Sequence, residues 1–274
     1  FGSRSSQGQA PLAARAPRLV TASGMGTSSA KAVSGEGAAG GAAAEAGDYS
    51  PEQLQVFKEQ GSKYDPASGR YLPFPGITIV CDVPGSGEGP LAQLPGALRG
   101  QPALGRLFMP LPADSYHVTL LDLHCQYKPL QDDAAWAALL REPCWAAIAD
   151  ELAAADCRPR LRLRKVLVLN TTMVAEMEPV PGCGFPGHPS ELPLGARLAE
   201  AAGVARQRHP WHMTLAYCRC REEFNPESPE YETERAAIED AVRAALPDEV
   251  PLDAAKLCRF PDMLAFIPWD GRTL

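Results

Sequence analysis

The sequence lacks long hydrophobic runs. No segment approaches the roughly 18 consecutive apolar residues that a membrane-spanning helix requires. The most apolar runs, such as residues 166–169, are only as long as a β-strand. A membrane-spanning protein is therefore not expected, and neither is a membrane partner.

Basic residues are also scarce, with 26 Lys and Arg against 33 Asp and Glu and a net charge of −7. Residues 1–35 contain four basic and no acidic residues, so the remaining residues carry −11. Proteins that bind long nucleic acids usually present a basic face, because phosphate contacts dominate their affinity. This composition argues against a long duplex as partner and favours a small ligand or a strand end.

Paired cysteines at metal-binding spacing are missing as well. The eight cysteines form no Cys-x-x-Cys pair, and a protein of 274 residues is long enough to fold around a hydrophobic core without disulfides. Cys218 and Cys220 would share one face of a strand, but no second pair lies at ligand spacing. We expect reduced thiols in an intracellular compartment, and neither a metal nor another cofactor.

Residues 1–47 are dominated by Ala, Gly and Ser, and we predict that this segment is disordered. Its first 35 residues contain Arg and Ser without acid. This composition is typical of a chloroplast or mitochondrial transit peptide, although a low-complexity tail of a cytoplasmic protein would look similar. Residues 48–274 are predicted to form a single folded domain.

Within that domain, strand and helix patterns alternate in an order that occurs twice. Strand, helices and strand are followed by the same series, which predicts an α+β fold built from two similar halves. The strands are predicted at 77–80, 116–123, 160–169 and 211–218, with one or two more in 255–267, and the helices at 51–60, 91–107 (broken), 134–140, 145–155, 194–203 and 230–245.

Two of the predicted strands contain the motif His-x-Thr, as His117-Val118-Thr119 and His212-Met213-Thr214. With 23 Ser and Thr in the sequence, five histidines would give about 0.4 such matches by chance. Both motifs lie within strands of alternating apolar residues, both follow an aromatic residue, and they are 95 residues apart. A duplicated half is the simplest explanation. Strand alternation places Leu121 on the face of His117, and it separates His212, Thr214 and Ala216 from Met213, Leu215 and Tyr217.

The paired motifs resemble those of the 2H phosphoesterase superfamily, which is named for two His-x-Thr/Ser motifs on related lobes. The resemblance extends over most of residues 60–270. Within that superfamily, the sequence is similar to an uncharacterised branch. Beyond the two motifs, the residues that carry this resemblance are Lys63-Tyr64-Asp65, the segment from Gly69 to Gly76, Ser115-Tyr116-His117, Phe260-Pro261-Asp262-Met263 and Phe266.

The resemblance implies a bilobal fold in which each lobe has an antiparallel sheet with helices and the active cleft lies between the lobes. It implies a phosphodiesterase that opens a 2',3'-cyclic phosphate on an RNA end or nucleotide, or a related cyclic phosphate such as that of ADP-ribose. His117 and His212 are the expected general acid and base, with Thr119 and Thr214 as phosphate-binding residues. The expected partner is such a nucleotide or RNA terminus, and the expected state is a monomer.

The residue types suit this chemistry. Ring opening requires one group to take a proton from water and another to protonate the departing oxygen. Two imidazoles with ordinary pKa values near 6.5 can hold opposite protonation states at neutral pH, so the reaction requires no metal. A threonine two residues along the strand points into the same cleft and can donate to a phosphate oxygen.

Other residues are weaker candidates. Tyr116 and Tyr217 could contact the substrate, although aromatic residues in strands are more often core. Arg208 could meet phosphate, although exposed arginines near helix ends are usually only solvated. The three histidines without the motif are expected to be structural, except that one close to the second motif could support it; they are His124, His188 and, near the motif, His209.

Two other functional classes stay open at this point. A non-catalytic module could bind a nucleotide or RNA end in the same cleft without turnover. A scaffold protein could use its alanine-rich helices for assembly, with the histidines incidental. The first would bind ligand without forming product, and the second would bind no ligand and tolerate both histidine substitutions.

Overall fold

The computed structural model describes most of the residues that follow position 48. The predicted disordered segment 1–47 and Cys220 lie outside the described residues. The described residues are 49–128, 130–206, 208–219, 224–225 and 228–272.

The described residues contain seven α-helices, and each predicted helical segment is confirmed. The first begins at a capping box, because the Ser50 hydroxyl accepts from the Gln53 amide at 3.2 Å while the Ser50 amide donates to the Gln53 side chain at 2.9 Å. In sequence order the helices are α1 (Pro51–Gln60), α2 (Leu94–Arg99), α3 (Leu104–Leu107), α4 (Asp133–Leu139), α5 (Cys144–Ala155), α6 (Pro193–Ala201) and α7 (Glu232–Ala245).

The described residues also contain eleven β-strands. A short hairpin pairs the first two strands, and the other nine belong to one curled antiparallel sheet. In sequence order the strands are β1 (Tyr64–Asp65), β2 (Arg70–Tyr71), β3 (Gly76–Asp82), β4 (Phe108–Pro110), β5 (His117–Cys125), β6 (Arg160–Val168), β7 (Thr172–Pro179), β8 (His212–Cys218), β9 (Val250–Pro251), β10 (Lys256–Phe260) and β11 (Ile267–Pro268).

The two strands that carry the His-x-Thr motifs are neighbours at the centre of the sheet. The strand order is β11-β10-β3-β5-β8-β7-β6-β9, and β4 pairs with β8 beside β5. Each motif strand therefore has its own group of strands on its outer side. The α+β class predicted from the sequence is confirmed.

Helices cover the sheet on both sides of this central pair. Helix α5 packs against β10 and buries Trp145, Ile148 and Leu152. Helix α7 packs against β6 and buries Ile238 and Val242. None of the described helices has the length and apolar character needed to cross a bilayer.

The sequence patterns failed at the hairpin formed by β6 and β7. The apolar run of residues 166–169 at the end of the predicted strand favours burial on both faces, but Leu169, just beyond β6, is 44% exposed. Strand β7 was not predicted, because its glutamates interrupt the apolar pattern. Glu176 is nevertheless 7% exposed, since Arg164 and Lys165 of β6 pair with its carboxylate at 2.7 and 3.7 Å.

Candidate active site

A cleft of about 410 Å³ lies over the central strand pair. Its floor is made by the two motifs, and its walls come from the later parts of β5 and β8, from the start of β3 and from segments at both ends of the domain. The lining residues are Lys63, Phe74, Ile77, Thr78, His117, Thr119, Asp122, Leu123, His124, Cys125, Lys128, Thr172, His212, Thr214, Tyr217, Phe260, Met263 and Phe266.

The pairing of β5 with β8 determines how the motifs face each other. Val118 pairs with Met213 in antiparallel register, so this pair is the midpoint between the motifs. Extending that register places each motif histidine opposite the threonine of the other motif. The two histidines are then diagonal neighbours on one face of the sheet, about 7–8 Å apart by ordinary strand geometry.

A β-bulge follows the first motif. Thr119 and Leu121 pair with consecutive residues of β3, so Leu120 is an extra residue in β5. The bulge reverses the alternation of side chains. Leu121, which was predicted to share the face of His117, is buried at 4% exposure, and Asp122 lines the cleft instead.

The second motif is followed by a bulge at the equivalent position. Thr214 and Ala216 pair with consecutive residues of β7, which makes Leu215 the extra residue. As a result Tyr217, which strand alternation places on the face opposite His212, lines the cleft. Asp122 and Tyr217 each lie three residues after the threonine of their motif, so the two strands share both motif and bulge.

Both motif histidines are fixed in the same way. His117 Nδ1 lies 2.8 Å from the carbonyl oxygen of Ser115, and His212 Nδ1 lies 2.9 Å from that of Pro210. A carbonyl oxygen can only accept, so Nδ1–H is the donor in each hydrogen bond. Each ring therefore has Nε2 left to accept or deliver a proton, which is the arrangement that acid–base catalysis requires.

Burial governs the charge of these rings. Desolvation lowers the pKa of His117 to about 4, against smaller raising contributions from the Ser115 carbonyl and from Asp82 and Asp122. Desolvation also lowers the pKa of His212, although the Pro210 carbonyl and Asp122 oppose it. Each of these rings is thus expected to be neutral at pH 7 in the empty cleft.

Burial of a neutral histidine predicts a pH dependence of stability. An unfolded histidine with pKa near 6.5 binds a proton that folded His117, with pKa about 4, does not bind, so folding stability is lost as pH falls between these values. Replacing His117 with Gln should remove up to about 3 kcal/mol of this loss. Urea unfolding of the unmodified protein and of the His117→Gln variant, from pH 7 to pH 4, measures the free energy of unfolding of each. If the free energies of unfolding of the two proteins changed equally with pH, the effect of burial on the pKa of His117 would be contradicted.

The three residues predicted to contact the substrate have different locations in the structure. Tyr217 lines the cleft. Tyr116 does not: it is 2% exposed, because β5 begins at the next residue and turns the ring into the core. Arg208 is exposed and lies outside the cleft lining. Tyr116 is therefore not positioned to contact a molecule held between the motifs, whereas the contact of Arg208 stays a prediction.

The other three histidines occupy different surroundings. His124 borders the cleft, but its Nε2 lies 3.1 Å from the Ala202 carbonyl oxygen and its ring packs edge-on against Trp145. His209 packs edge-on against His212, with ring centroids 5.3 Å apart, so it contacts the motif without lining the cleft. His188 lies in the proline-rich loop between β7 and α6 and approaches the His209 carbonyl oxygen through Nδ1.

Several cleft residues escaped prediction from the sequence. Lys63 belongs to the resemblance, but nothing in the sequence indicated that it lies beside the motifs. Asp122 and Thr172 were missed because strand alternation alone does not reveal the bulges and because β7 was not predicted. Phe266 packs on His117 with ring centroids 3.9 Å apart, through a loop whose path only the folded protein defines.

Some residues of the resemblance have structural contacts instead. Asp65 accepts hydrogen bonds from the amides of Ala67 and Ser68 in the turn between β1 and β2. Gly76 lies so close to the Phe260 ring that a Cβ atom there would come within 2.0 Å of it. Phe260 lines the cleft, and its ring can pack this closely on β3 because residue 76 has no side chain.

The structure describes one of the two cysteines that could share a strand face at metal-binding spacing. Cys218 is buried, and its expected neighbour on the strand face, Cys220, lies outside the described residues. In the described part of the sequence, no three His, Cys, Asp or Glu residues come together at metal-binding distance.

A second depression, of about 460 Å³, lies between β6, β7 and α7, away from the motifs. Its arginines each pair with a glutamate, so their charge is largely neutralised within the protein. The pairs are Arg162 with Glu178, Arg164 with Glu176 and Arg243 with Glu239.

Comparison with known proteins points to one family. Residues 63–174 match the model of a domain of unknown function that bears the name 2H-phosphodiest (DUF1868). A crystal structure of a conserved protein of unknown function from Agrobacterium tumefaciens has a similar fold, with a TM-score of 0.50 and 18% identity over 76% of this chain and 90% of that one. No curated protein matches the sequence. The match to the domain model suggests a 2H phosphoesterase-like family, and the similarity to the crystal structure concerns the fold alone.

Proposed function

We propose that this protein is a phosphodiesterase that opens a 2',3'-cyclic phosphate, with His117 and His212 as the acid–base pair. The observation that carries the proposal is the diagonal placement of the two imidazoles in one cleft, each opposite the threonine of the other motif and each anchored through Nδ1. The similarity to the 2H-phosphodiest model supports a phosphodiesterase-type activity. The two-lobed organisation, with a strand group on each side of the central pair, belongs to the same proposal.

In the proposed reaction, water attacks phosphorus in line with one ribose oxygen of the cyclic diester. The neutral imidazole takes a proton from the water at Nε2 while the P–O bond on the opposite side breaks. The protonated imidazole gives its Nε2 proton to the departing ribose oxygen, and the product is a phosphomonoester. The hydroxyl groups of Thr119 and Thr214 donate to the non-bridging oxygens, where negative charge increases in the transition state.

Either histidine can be the base, because the two motifs are related by the midpoint between Val118 and Met213. The orientation of the substrate then decides which ribose oxygen departs. The pair titrates as a coupled unit rather than as two independent groups.

The direct test is incubation of the purified protein with adenosine 2',3'-cyclic phosphate, with and without EDTA, followed by detection of the phosphomonoester. We expect product in both conditions. Binding of the compound without product would instead support the non-catalytic nucleotide-binding module. Neither binding nor product with this compound or with a cyclic phosphate on an RNA end would contradict both functions.

The lowered pKa values predict an acidic optimum for kcat/KM. Activity requires one neutral and one protonated imidazole, and in the free enzyme the pKa values of both His117 and His212 lie below 6.5. We expect kcat/KM to fall about tenfold per pH unit above pH 6.5, while kcat falls at a higher pH because bound phosphate stabilises the imidazolium. Initial rates from pH 4.5 to pH 9 measure both profiles. A kcat/KM that stays constant up to pH 8 would contradict this assignment.

A further inference from the structure

A lysine in the wall of the cleft is held by aromatic rings. Lys63 Nζ lies 4.6 Å from the centroid of the Tyr217 ring and 5.4 Å from that of Phe74. It also donates to the Tyr217 hydroxyl at 3.4 Å. Cation–π contacts of this kind position an ammonium group without neutralising its charge.

Carboxylates do not neutralise this charge either. Among the residues that the structure describes, no Asp or Glu oxygen lies within 4.0 Å of Lys63 Nζ, and this includes Asp122, the acidic residue that lines the same cleft. Lys128 lines the cleft as well, with its Nζ 5.7 Å from the Phe74 centroid. In an otherwise acidic protein, Lys63 thus gives the candidate site a positive charge that no described carboxylate neutralises, which favours an anionic ligand.

The hydrogen bond between Lys63 and Tyr217 leaves two donors available to that ligand. Because the Tyr217 oxygen accepts from Nζ, the phenolic hydrogen is free to be donated elsewhere, and Nζ keeps two further hydrogens. The ammonium group already lies over the Tyr217 ring, which disfavours stacking of a nucleobase on that face. Hydrogen bonding to an anion therefore suits this pair better than base stacking.

The position of Tyr217 relates this pair to the catalytic motif. Tyr217 lies three residues after Thr214 on the same strand, and the intervening bulge brings both side chains to the cleft. Strand rise places their Cα atoms about 7–10 Å apart. That separation suits two phosphate groups joined by one ribose.

We infer that the substrate carries a second phosphate group besides the cyclic one, as a nucleotide with both a 5'-phosphate and a 2',3'-cyclic phosphate does, and that Lys63 and Tyr217 bind it. This inference rests on the proposed function, because it takes the cyclic phosphate to lie between the motifs. Lys63 and Tyr217 then determine specificity and do not take part in proton transfer.

The test compares two compounds that differ only in the second phosphate: adenosine 2',3'-cyclic phosphate and its 5'-phosphorylated form. For the unmodified protein we expect kcat/KM to be at least about tenfold higher for the phosphorylated compound, the effect of charge-assisted hydrogen bonds. Lys63→Met should reduce this preference to about threefold or less, Tyr217→Phe should reduce it in part, and Lys63→Arg should retain most of it. Lys165→Met, which changes a lysine outside the cleft, should retain the full preference.

The outcomes separate this inference from the proposed function. Hydrolysis of both compounds at equal kcat/KM, or an unchanged preference in Lys63→Met and in Tyr217→Phe, would overturn the inference and leave the function intact. If neither compound is hydrolysed, calorimetric titration of both compounds decides. A Kd about tenfold lower for the phosphorylated compound, lost in Lys63→Met, would uphold the second phosphate site without turnover, whereas equal Kd values would overturn it.

Discussion

Replacing either His117 or His212 with alanine is expected to lower kcat for a nucleoside 2',3'-cyclic phosphate by about 10²–10⁴-fold. The physical reason is that, in the proposed mechanism, each imidazole transfers one of the two protons in a single step, and water in the place of a ring is not oriented as the Nδ1-anchored rings are. Steady-state kinetics at saturating substrate measure the effect. A loss smaller than about threefold for either variant would refute the acid–base assignment.

The double variant sharpens this test. Two groups that act in one step give non-additive losses, so removal of both histidines should slow the reaction about as much as removal of one. His188→Ala is the matched control, because that histidine lies in the loop outside the cleft, and its kcat should stay close to that of the unmodified protein. Losses that multiply in the double variant would indicate that the two histidines act in separate steps.

The second large effect is expected at the threonines. Thr119→Val and Thr214→Val keep the β-branched shape of the strand but remove the hydroxyl donor. Loss of a donor to developing negative charge costs about 10²–10³-fold in kcat. Because each threonine lies opposite the histidine of the other motif, we expect losses of similar size at both positions. Single-turnover rates measure the chemical step directly.

Two comparisons decide whether the hydroxyl groups are responsible. Thr119→Ser and Thr214→Ser retain the donor and should recover most of the rate, which a purely structural role would not predict. Thr171→Val, a change outside the cleft lining, should leave kcat close to that of the unmodified protein. Valine variants with a raised KM but unchanged kcat would mean that the hydroxyls bind substrate and transition state equally.

The sequence predicted the two motif strands better than the walls of the cleft. Each motif is local: three residues on a strand have a period of two, so the pattern places histidine and threonine on one face. The same alternation failed beyond each threonine, at Leu121 and Tyr217, because a bulge depends on pairing with the neighbouring strand.

The helices were predicted well for a related reason. Their signals lie within the helix and its caps, as at the capping box of Ser50 and Gln53, and require no distant partner. Strand β7 was missed because its buried Glu176 is tolerable only when paired with Arg164 of β6, a contact formed by the folded hairpin.

Local patterns in the sequence were enough to establish the α+β class, the helices and the two His-x-Thr strands, since these depend on residues adjacent along the polypeptide. The folded structure was needed to show that these strands are neighbours in register, that bulges turn Asp122 and Tyr217 into the cleft, and that Lys63 lies between two aromatic rings there. The physical reason is that strand pairing and side-chain packing join residues far apart in sequence, here Lys63 and Tyr217, whose proximity no local pattern records.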